Sequence, residues 1–368
     1  MFSERYDTMA TLSLCMIVKN EEAVISRCLE SVKAAADEII IVDTGSTDKT
    51  KEIAYSYTPL VFDFKWVDDF SAARNYSFSK ASMNYIMWLD ADDVITEDNA
   101  LKLTTLKNQL NDESAVMMKY NTAFDEDGKP IFSYYRERLI NRRNFIAWKG
   151  RVHETALYSG NAVYSDIEIN HMSVKKEYST RNLDIYEKQI AADETMTPRD
   201  YFYYGRELYY HKKFSKAIKV LGEFIDSDGG WFENKIEACK ILSYCHSQTG
   251  DFKKAFDDLT RSFIYDDPRA EICCLIGNLF MEQSLYSRAI FWFKLALDLP
   301  QNNESGGFID LDCHGFLPCI QLCVCYDKLN DHIKAQEYNL KAGAIRPHSE
   351  AYLYNLKYFE QLHKKGMI

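Results

Sequence analysis

The chain has 368 residues, 46% hydrophobic and 27% charged, which is an ordinary globular mix with room for two or three domains and a sizeable core. Its formal charge of −11 argues against a general nucleic-acid binder, which normally carries a basic excess. No run of about 18 apolar residues occurs, so no membrane-spanning helix is expected.

The opening stretch "MFSERYDTMA" places Glu4 and Asp7 ahead of a short apolar run and does not read as a signal peptide. Ten cysteines are present, and Cys239, Cys245, Cys273, Cys274, Cys319, Cys323 and Cys325 sit inside apolar helical patterns. In a chain of this size that favours free thiols in the cytoplasm over a disulfide framework. "CIQLCVC" (319–325) reads as helical core, because no second ligand pair has matching spacing.

Residues 11–175 alternate strand-like and helix-like segments. "TLSLCMIV" (11–18) is a buried-strand candidate bounded by polar residues. "EEAVISRCLESVKAAA" (21–36) puts Val24, Ile25, Cys28, Leu29 and Val32 on one helical stripe. "EIIIVD" (38–43) is a second buried strand and ends in Asp43. "GSTDKTKEIAYSY" (45–57) reads as a turn, a cap and a helix, "FSAARNYSFSKA" (70–81) as a further helix, and "YIMWLD" (85–90) as a third strand. This order predicts a mostly parallel sheet with right-handed crossovers. Ligands of such sheets sit beyond the carboxyl ends of the strands, where Asp43 and Asp90 both stand.

From about residue 180 the pattern becomes helix pairs. Ala217, Ala255, Ala289 and Ala335 hold one equivalent position, with gaps of 38, 34 and 46 residues, and Pro268, Pro300 and Pro347 close three units. The gap of 34 is the tetratricopeptide (TPR) period, and the longest gap contains "NNESGGFIDLDCHG" (302–315). Stacked units of this kind bury each other's apolar faces. The organisation expected is therefore an α/β domain over 1–178 and an all-α TPR-like domain over 179–368.

The chemistry concentrates at the strand ends. "YIMWLDADDV" (85–94) runs an apolar strand into Asp90, Asp92 and Asp93, and buried ionised aspartates need a compensating positive charge. A solvated turn explains them, and so does a divalent cation. Likewise Asp43 before Gly45 and Ser46 fits simple turn chemistry, and Asp48 fits a helix cap.

The succession "KNEE", "DTGSTDKT", "LDADD" resembles glycosyltransferase family 2, and the resemblance covers roughly residues 11–175. It implies a GT-A nucleotide-sugar fold and a Mg²⁺ or Mn²⁺ ion that neutralises the diphosphate leaving group. On the family's D-x-D pattern it implies Asp90 for nucleotide contact and Asp92 for metal, with Asp93 as support or a second metal contact. It also implies Asp43 for the base, usually uracil, with Val18, Asn20 and Glu22 lining the same pocket. The implied donor is UDP-glucose or UDP-N-acetylglucosamine. "WVDDFSAARN" (66–75), "RERLINRRNFIAWKGRVHE" (136–154) and "YYGREL" (203–208) further resemble the subfamily of sublancin-type peptide S-glycosyltransferases, in which such a domain is joined to TPR-like helices.

That resemblance implies an inverting transfer to a Cys, Ser or Thr side chain of a peptide or protein. Glu154 is then the expected base, with His153 as orienter or substitute. Arg74 pairs with a phosphate or with an aspartate of the site. His171 supplies a further metal ligand in such folds. The repeats would hold a polypeptide acceptor or build a homodimer. Three other readings stay open: transfer to a glycan or cell-envelope acceptor, a nucleotidyltransferase, and a non-catalytic TPR adaptor with a degenerate nucleotide-sugar fold. "MIVKNEE" (16–22) lacks the glycine-rich, basic loop a nucleotidyltransferase needs, and intact Asp90, Asp92 and Glu154 argue against the adaptor.

Overall fold

The computed structural model describes residues 9–174, 179–301 and 307–368. The N-terminal stretch with Glu4 and Asp7, the expected boundary at 178 and residues 302–306 of the 302–315 loop fall outside those residues. The chain divides into two compact units: one runs to Thr122 and resumes over Tyr134–Ala192, the other comprises Ala123–Ser133 and Asp193–Ile368.

The first unit is built on a mixed sheet. β1 (Leu12–Val18) is a near-continuous apolar run and is buried along its length, as a strand covered on both faces must be. α1 (Ile25–Val32) packs Ile25, Cys28, Leu29 and Val32 inward. β2 (Glu38–Asp43) lies parallel to β1, with Asp43 opposite Val18. After α2 (Thr50–Tyr55), β3 (Val61–Asp63) adds a parallel edge. α3 (Phe70–Phe78) crosses over to β4 (Tyr85–Trp88), which lies parallel to β1 on its other side. The carboxyl ends of β1, β2 and β4 thus open on one edge.

Beyond the acidic turn come β5 (Asp93–Val94), α4 (Glu97–Lys107), the long strands β6 (Ala115–Phe124) and β7 (Pro130–Asn141), a separate hairpin of β8 (Phe145–Lys149) and β9 (Thr155–Tyr158), β10 (Ala162–His171) and α5 (Arg181–Ala191). The sheet order is β3-β2-β1-β4-β7-β6-β10-β5. β7 is antiparallel to β4, β10 is parallel to β6, and β10 ends in an antiparallel bridge that sets His171 opposite Asp93.

The second unit is a run of helical hairpins: α6 (Pro198–Tyr210) with α7 (Phe214–Asp226), α8 (Phe232–Gln248) with α9 (Phe252–Arg261), α10 (Ala270–Glu282) with α11 (Tyr286–Asp298), α12 (Phe316–Lys328) with α13 (His332–Ile345), then α14 (Glu350–Lys364). Every hairpin turns through one left-handed residue: Lys212 (φ 56), Gly250 (φ 79), Ser284 (φ 57) and Asn330 (φ 62). The next residue donates its N–H back into the helix just ended, from Lys213 to Leu208 O, Asp251 to His246 O, Leu285 to Phe280 O and Asp331 to Tyr326 O, at 2.8 or 2.9 Å. Five residues after each left-handed turn stands the repeat alanine, and Ala217, Ala255, Ala289 and Ala335 are all fully buried. The all-α TPR-like architecture expected for this half is present. All ten cysteines are free and buried. No described helix is long and apolar enough to cross a membrane.

Candidate active site

The acidic turn closes on itself: Asp90 N–H donates to Asp93 Oδ2 and Asp93 N–H to Asp90 O, both at 3.0 Å. Asp93 has no solvent exposure. It pairs with Arg138 Nη1 at 2.9 Å and accepts from the Tyr120 hydroxyl at 2.8 Å. Arg138 is equally buried, and its guanidinium lies over the rings of Trp88 (3.9 Å) and Tyr120 (4.2 Å). This buried pair is the compensating charge that the sequence demanded for Asp93. Main-chain bonding then sets the rest. Met172 N–H donates to Asp92 O at 2.8 Å, and His171 Nδ1 stands 3.4 Å from both Asp92 Oδ1 and Asp93 Oδ1. Burial pulls the His171 imidazole down, but Asp93 and Asp92 outweigh it and raise it. Burial pushes the Asp92 carboxyl up, with His171 opposing.

The "WVDDFSAARN" segment builds the facing wall. Asp69 caps α3 by accepting Ala72 N–H at 3.0 Å, and Trp66 packs edge-on to Phe70 at 4.8 Å. Arg74, buried on α3, reaches two carboxylates: Nη2 to Asp90 Oδ1 at 2.8 Å, and Nε to Glu154 Oε1. Its guanidinium lies 4.4 Å above Trp88 and 5.2 Å from Trp148. Burial alone would raise the Asp90 carboxyl; Arg74 and Arg138 instead hold it down at about 2. Asn75 grips the backbone of Trp148 on both sides, accepting its N–H at 2.8 Å and donating to its carbonyl at 3.0 Å. Phe70 N–H donates to Arg151 O at 2.8 Å. One helix face therefore docks the "GRVHE" loop. In that loop Gly150 takes φ 102, and His153 takes φ 50, a left-handed conformation uncommon for a non-glycine residue and concentrated at functional sites.

These elements enclose a cavity of about 390 Å³, within the size range of small-ligand sites. Val18, Arg74, Asp90, Asp92, His153 and Glu154 line it. Asn20 and Glu22 do not. Asn20 accepts Thr47 N–H at 2.8 Å and Glu22 accepts Lys49 N–H at 3.0 Å, so they tie the loop after β1 to the loop after β2. Nor do Asp43 and His171 line the cavity, and Asp43 is buried. Its Oδ2 accepts Gly45 and Ser46 N–H at 3.0 and 2.9 Å, while its Oδ1 has no hydrogen-bond partner among the described residues. A buried carboxylate oxygen without a donor is costly, and an imide N–H would satisfy it.

Sequence reasoning passed over Trp66, Phe70, Arg136 and Arg181, which also line the cavity, and Arg138 and Tyr120, which underlie it. The two arginines of "RER" stand two apart on β7, a spacing that points both to the same face of a strand.

Among the described residues, one group of three or more His, Cys, Asp or Glu brings its donor atoms within 4.8 Å of one another: Asp92, Asp93 and His171. Carboxylates plus an imidazole suit Mg²⁺ or Mn²⁺. Asp93 is already engaged by Arg138 and Tyr120, and His171 Nδ1 lies 2.9 Å from the same Tyr120 hydroxyl, so an ion here would take Asp92 and would reach His171 through its other ring nitrogen or by breaking that contact.

Residues 13–165, which carry this sheet and its acidic turn, match the model of Glycosyl transferase family 2. That segment is a family 2 glycosyltransferase domain. A TPR repeat-containing protein of Synechococcus elongatus is 37% identical over 146 residues, 40% of this chain and 35% of that protein. The SPbeta prophage-derived glycosyltransferase SunS of Bacillus subtilis is 29% identical over 239 residues, 61% of this chain and 55% of SunS. The chain thus spans less than two thirds of the length of either relative. The crystal structure of S. aureus TarS aligns with a TM-score of 0.36 at 14% identity, covering 67% of this chain and 89% of that one.

Proposed function

We propose that this chain is an inverting, metal-dependent glycosyltransferase that moves a sugar from a UDP-sugar, UDP-glucose or UDP-N-acetylglucosamine, to a Cys, Ser or Thr side chain of a peptide or protein. The observation that carries this reading is Arg74, which holds Asp90 and Glu154 in one cavity beside Asp92. Nucleotide contact and candidate base are thereby fixed relative to each other. The partnerless Asp43 oxygen supports a uracil N–H at the base position. The match to family 2 and the similarity to SunS support the activity class.

Asp92 and His171 would hold a Mg²⁺ or Mn²⁺ ion, which supplies charge neutralisation at the diphosphate. Asp90 contacts the nucleotide. Glu154 accepts the acceptor's proton while the acceptor atom bonds to C1 and the electron pair of the breaking C1–O bond stays on the diphosphate. A thiol acceptor asks less of Glu154 than a hydroxyl, since its pKa lies near 8.5. The helical unit serves to hold the polypeptide acceptor, raising its effective concentration. Free buried cysteines suit the reducing cytoplasm.

The test is hydrolysis of UDP-sugars without acceptor, followed by intact-mass analysis with candidate peptides. Chelator should stop turnover and Mn²⁺ restore it. Asp92→Ala should lower it about a hundredfold or more, the scale on which charge stabilisation at a reacting centre is felt. Turnover that survives Asp92→Ala would overturn the metal assignment, and no turnover with any donor would leave the adaptor reading standing.

A further inference from the structure

The wall that faces the acidic turn carries an aromatic pair with no part in the transfer step. Trp66 and Phe70 both line the cavity, their rings edge to face and 4.8 Å apart. Phe70 and Arg74 stand four apart on α3 and so share one face of that helix. Arg74 reaches Asp90, just past the end of β4. Trp66 belongs to the other end of the wall. Phe64 N–H donates to Asp43 O at 2.8 Å just past β3, and two residues of chain span at most about 7 Å. Trp66 is therefore tethered near the end of β2, and Thr44, the neighbour of Asp43, lines the same cavity. The indole is also held in orientation. Its Nε1–H donates to Asp68 Oδ1 at 2.9 Å, and Asp68 takes φ 55, a left-handed conformation that concentrates at functional sites. Asp68 is tied in turn to Lys188 on α5 at 2.6 Å. With its one donor engaged by Asp68, the indole has its π surface left to offer a ligand.

We infer that Trp66 stacks on the base of the donor nucleotide. This rests on the nucleotide-sugar reading of the same cavity and deepens it. A donor that reaches from Asp92 to Asp43 runs along this wall, with its reacting end beside Arg74 and its base beside Trp66. A uracil whose imide N–H meets the partnerless Asp43 Oδ1 is read at its edge, and its faces remain to be covered. Trp66 covers one of them. The edge contact selects the base; the stack supplies affinity that any base would share. An indole already fixed by Asp68 loses little freedom when the base arrives.

The experiment follows the tryptophan fluorescence of the full chain with Mn²⁺ as UDP, uridine or inorganic pyrophosphate is added, with affinities from titration calorimetry. UDP and uridine should quench the emission, and pyrophosphate should not. Trp88 lines the cavity too, so Trp66→Phe assigns the signal: the quench should vanish while UDP affinity stays within about threefold, because a phenyl ring still stacks. Trp66→Ala should weaken UDP and uridine by one common factor of about tenfold, the middle of the range for an aromatic–base stack, and leave pyrophosphate unchanged. No quench in the unmodified chain, or a quench that persists in Trp66→Phe, overturns the assignment. So does a Trp66→Ala chain that binds UDP as the unmodified one does, whether or not its KM for a peptide acceptor rises, and so does a loss shared by pyrophosphate. Should Trp66→Ala fail to fold, Trp66→Phe carries the test through the quench. If the unmodified chain binds no UDP, the nucleotide-sugar reading falls first; if it binds UDP and the variants match it, Trp66 alone is reassigned.

Discussion

The two units differ in what recurs in their interiors. In the α/β unit the interior beneath the strand ends is charged: Asp93 and Arg138 are fully enclosed, and Arg74 and Glu154 nearly so. Their partners come from far along the chain, 80 residues apart for Arg74 and Glu154 and 45 for Arg138 and Asp93. The helical unit buries charge as well, Glu233 against Arg269 at 2.7 Å, but its recurring buried position is a small apolar residue, and each alanine packs a hairpin whose turn lies five residues away. The first unit spends stability on placing charge where a ligand needs it. The second builds a scaffold from local repetition.

The largest effect should come from breaking the dry ion pair. Arg138→Met keeps most of the volume but leaves Asp93 buried with the Tyr120 hydroxyl at 2.8 Å and His171 Nδ1 at 3.4 Å as its side-chain partners among the described residues. Removing one partner of such a pair costs about 3–5 kcal/mol, read as a lowered midpoint in urea unfolding. Arg346→Met in the helical unit removes bonds to Asp312 (2.6 Å) and Glu126 (3.0 Å), carboxylates that are 22% and 34% exposed, and a longer contact, 3.6 Å, to the buried Asp125. Water can take its place there, so the cost should be smaller. Equal costs would break the contrast between a charged and a small-residue interior.

Glycines sharpen the same contrast within the helices. A Cβ added at Gly277 would lie 2.7 Å from the Phe293 ring, so α10 and α11 touch through a position that tolerates no side chain. Gly277→Ala should cost about 1–3 kcal/mol through overpacking. Gly222 on α7 has nothing within 4 Å of such an atom, and Gly222→Ala should stabilise by about 0.5–1 kcal/mol through backbone entropy alone. Thermal melts of both variants decide this; the same sign for both would mean that the helical hairpins are not held at close-packed distance.

What was legible follows the same division. The repeat alanines, the parallel strands β1, β2 and β4 and the acidic turn all announce themselves by local pattern: a fixed spacing, a β-branched run, or clustered carboxylates; the three-residue parallel edge β3 does not. The strands β6 to β10 did not, because β7 and β10 alternate polar and half-buried residues without a clean period of two. With them went Arg136, Arg138 and Tyr120, half of the charge logic of the site. Asn20 and Glu22 show the reverse failure. A position beside the pocket in sequence was taken for the pocket, whereas their side chains bond the next loop. Periodicity reports which face is buried; it does not report which distant side chain a carboxylate will meet.

The smallest effect concerns a charge pair inside the helical unit. His314 Nε2 lies 3.7 Å from Glu271 Oε1, before α12 and at the start of α10. The Glu271 contact raises the imidazole above its ordinary value although burial pulls it down, and Asp310 adds to the rise. Glu271 is lowered in turn: burial raises it, and His314 and Lys240 overcome that. A histidine raised on folding contributes stability that is complete below its unfolded value, about 6.5, and disappears as pH climbs past the raised folded value. His314→Gln should therefore be less stable than the unmodified chain near pH 6, by about 1 kcal/mol at most, and should match it by pH 9. Toward pH 4 the difference should shrink again, as Glu271 takes up its proton. A difference that stays constant from pH 5.5 to 9 would mean that His314 acts through packing, and that the helical unit, unlike the sheet, gains nothing from the charges it buries there.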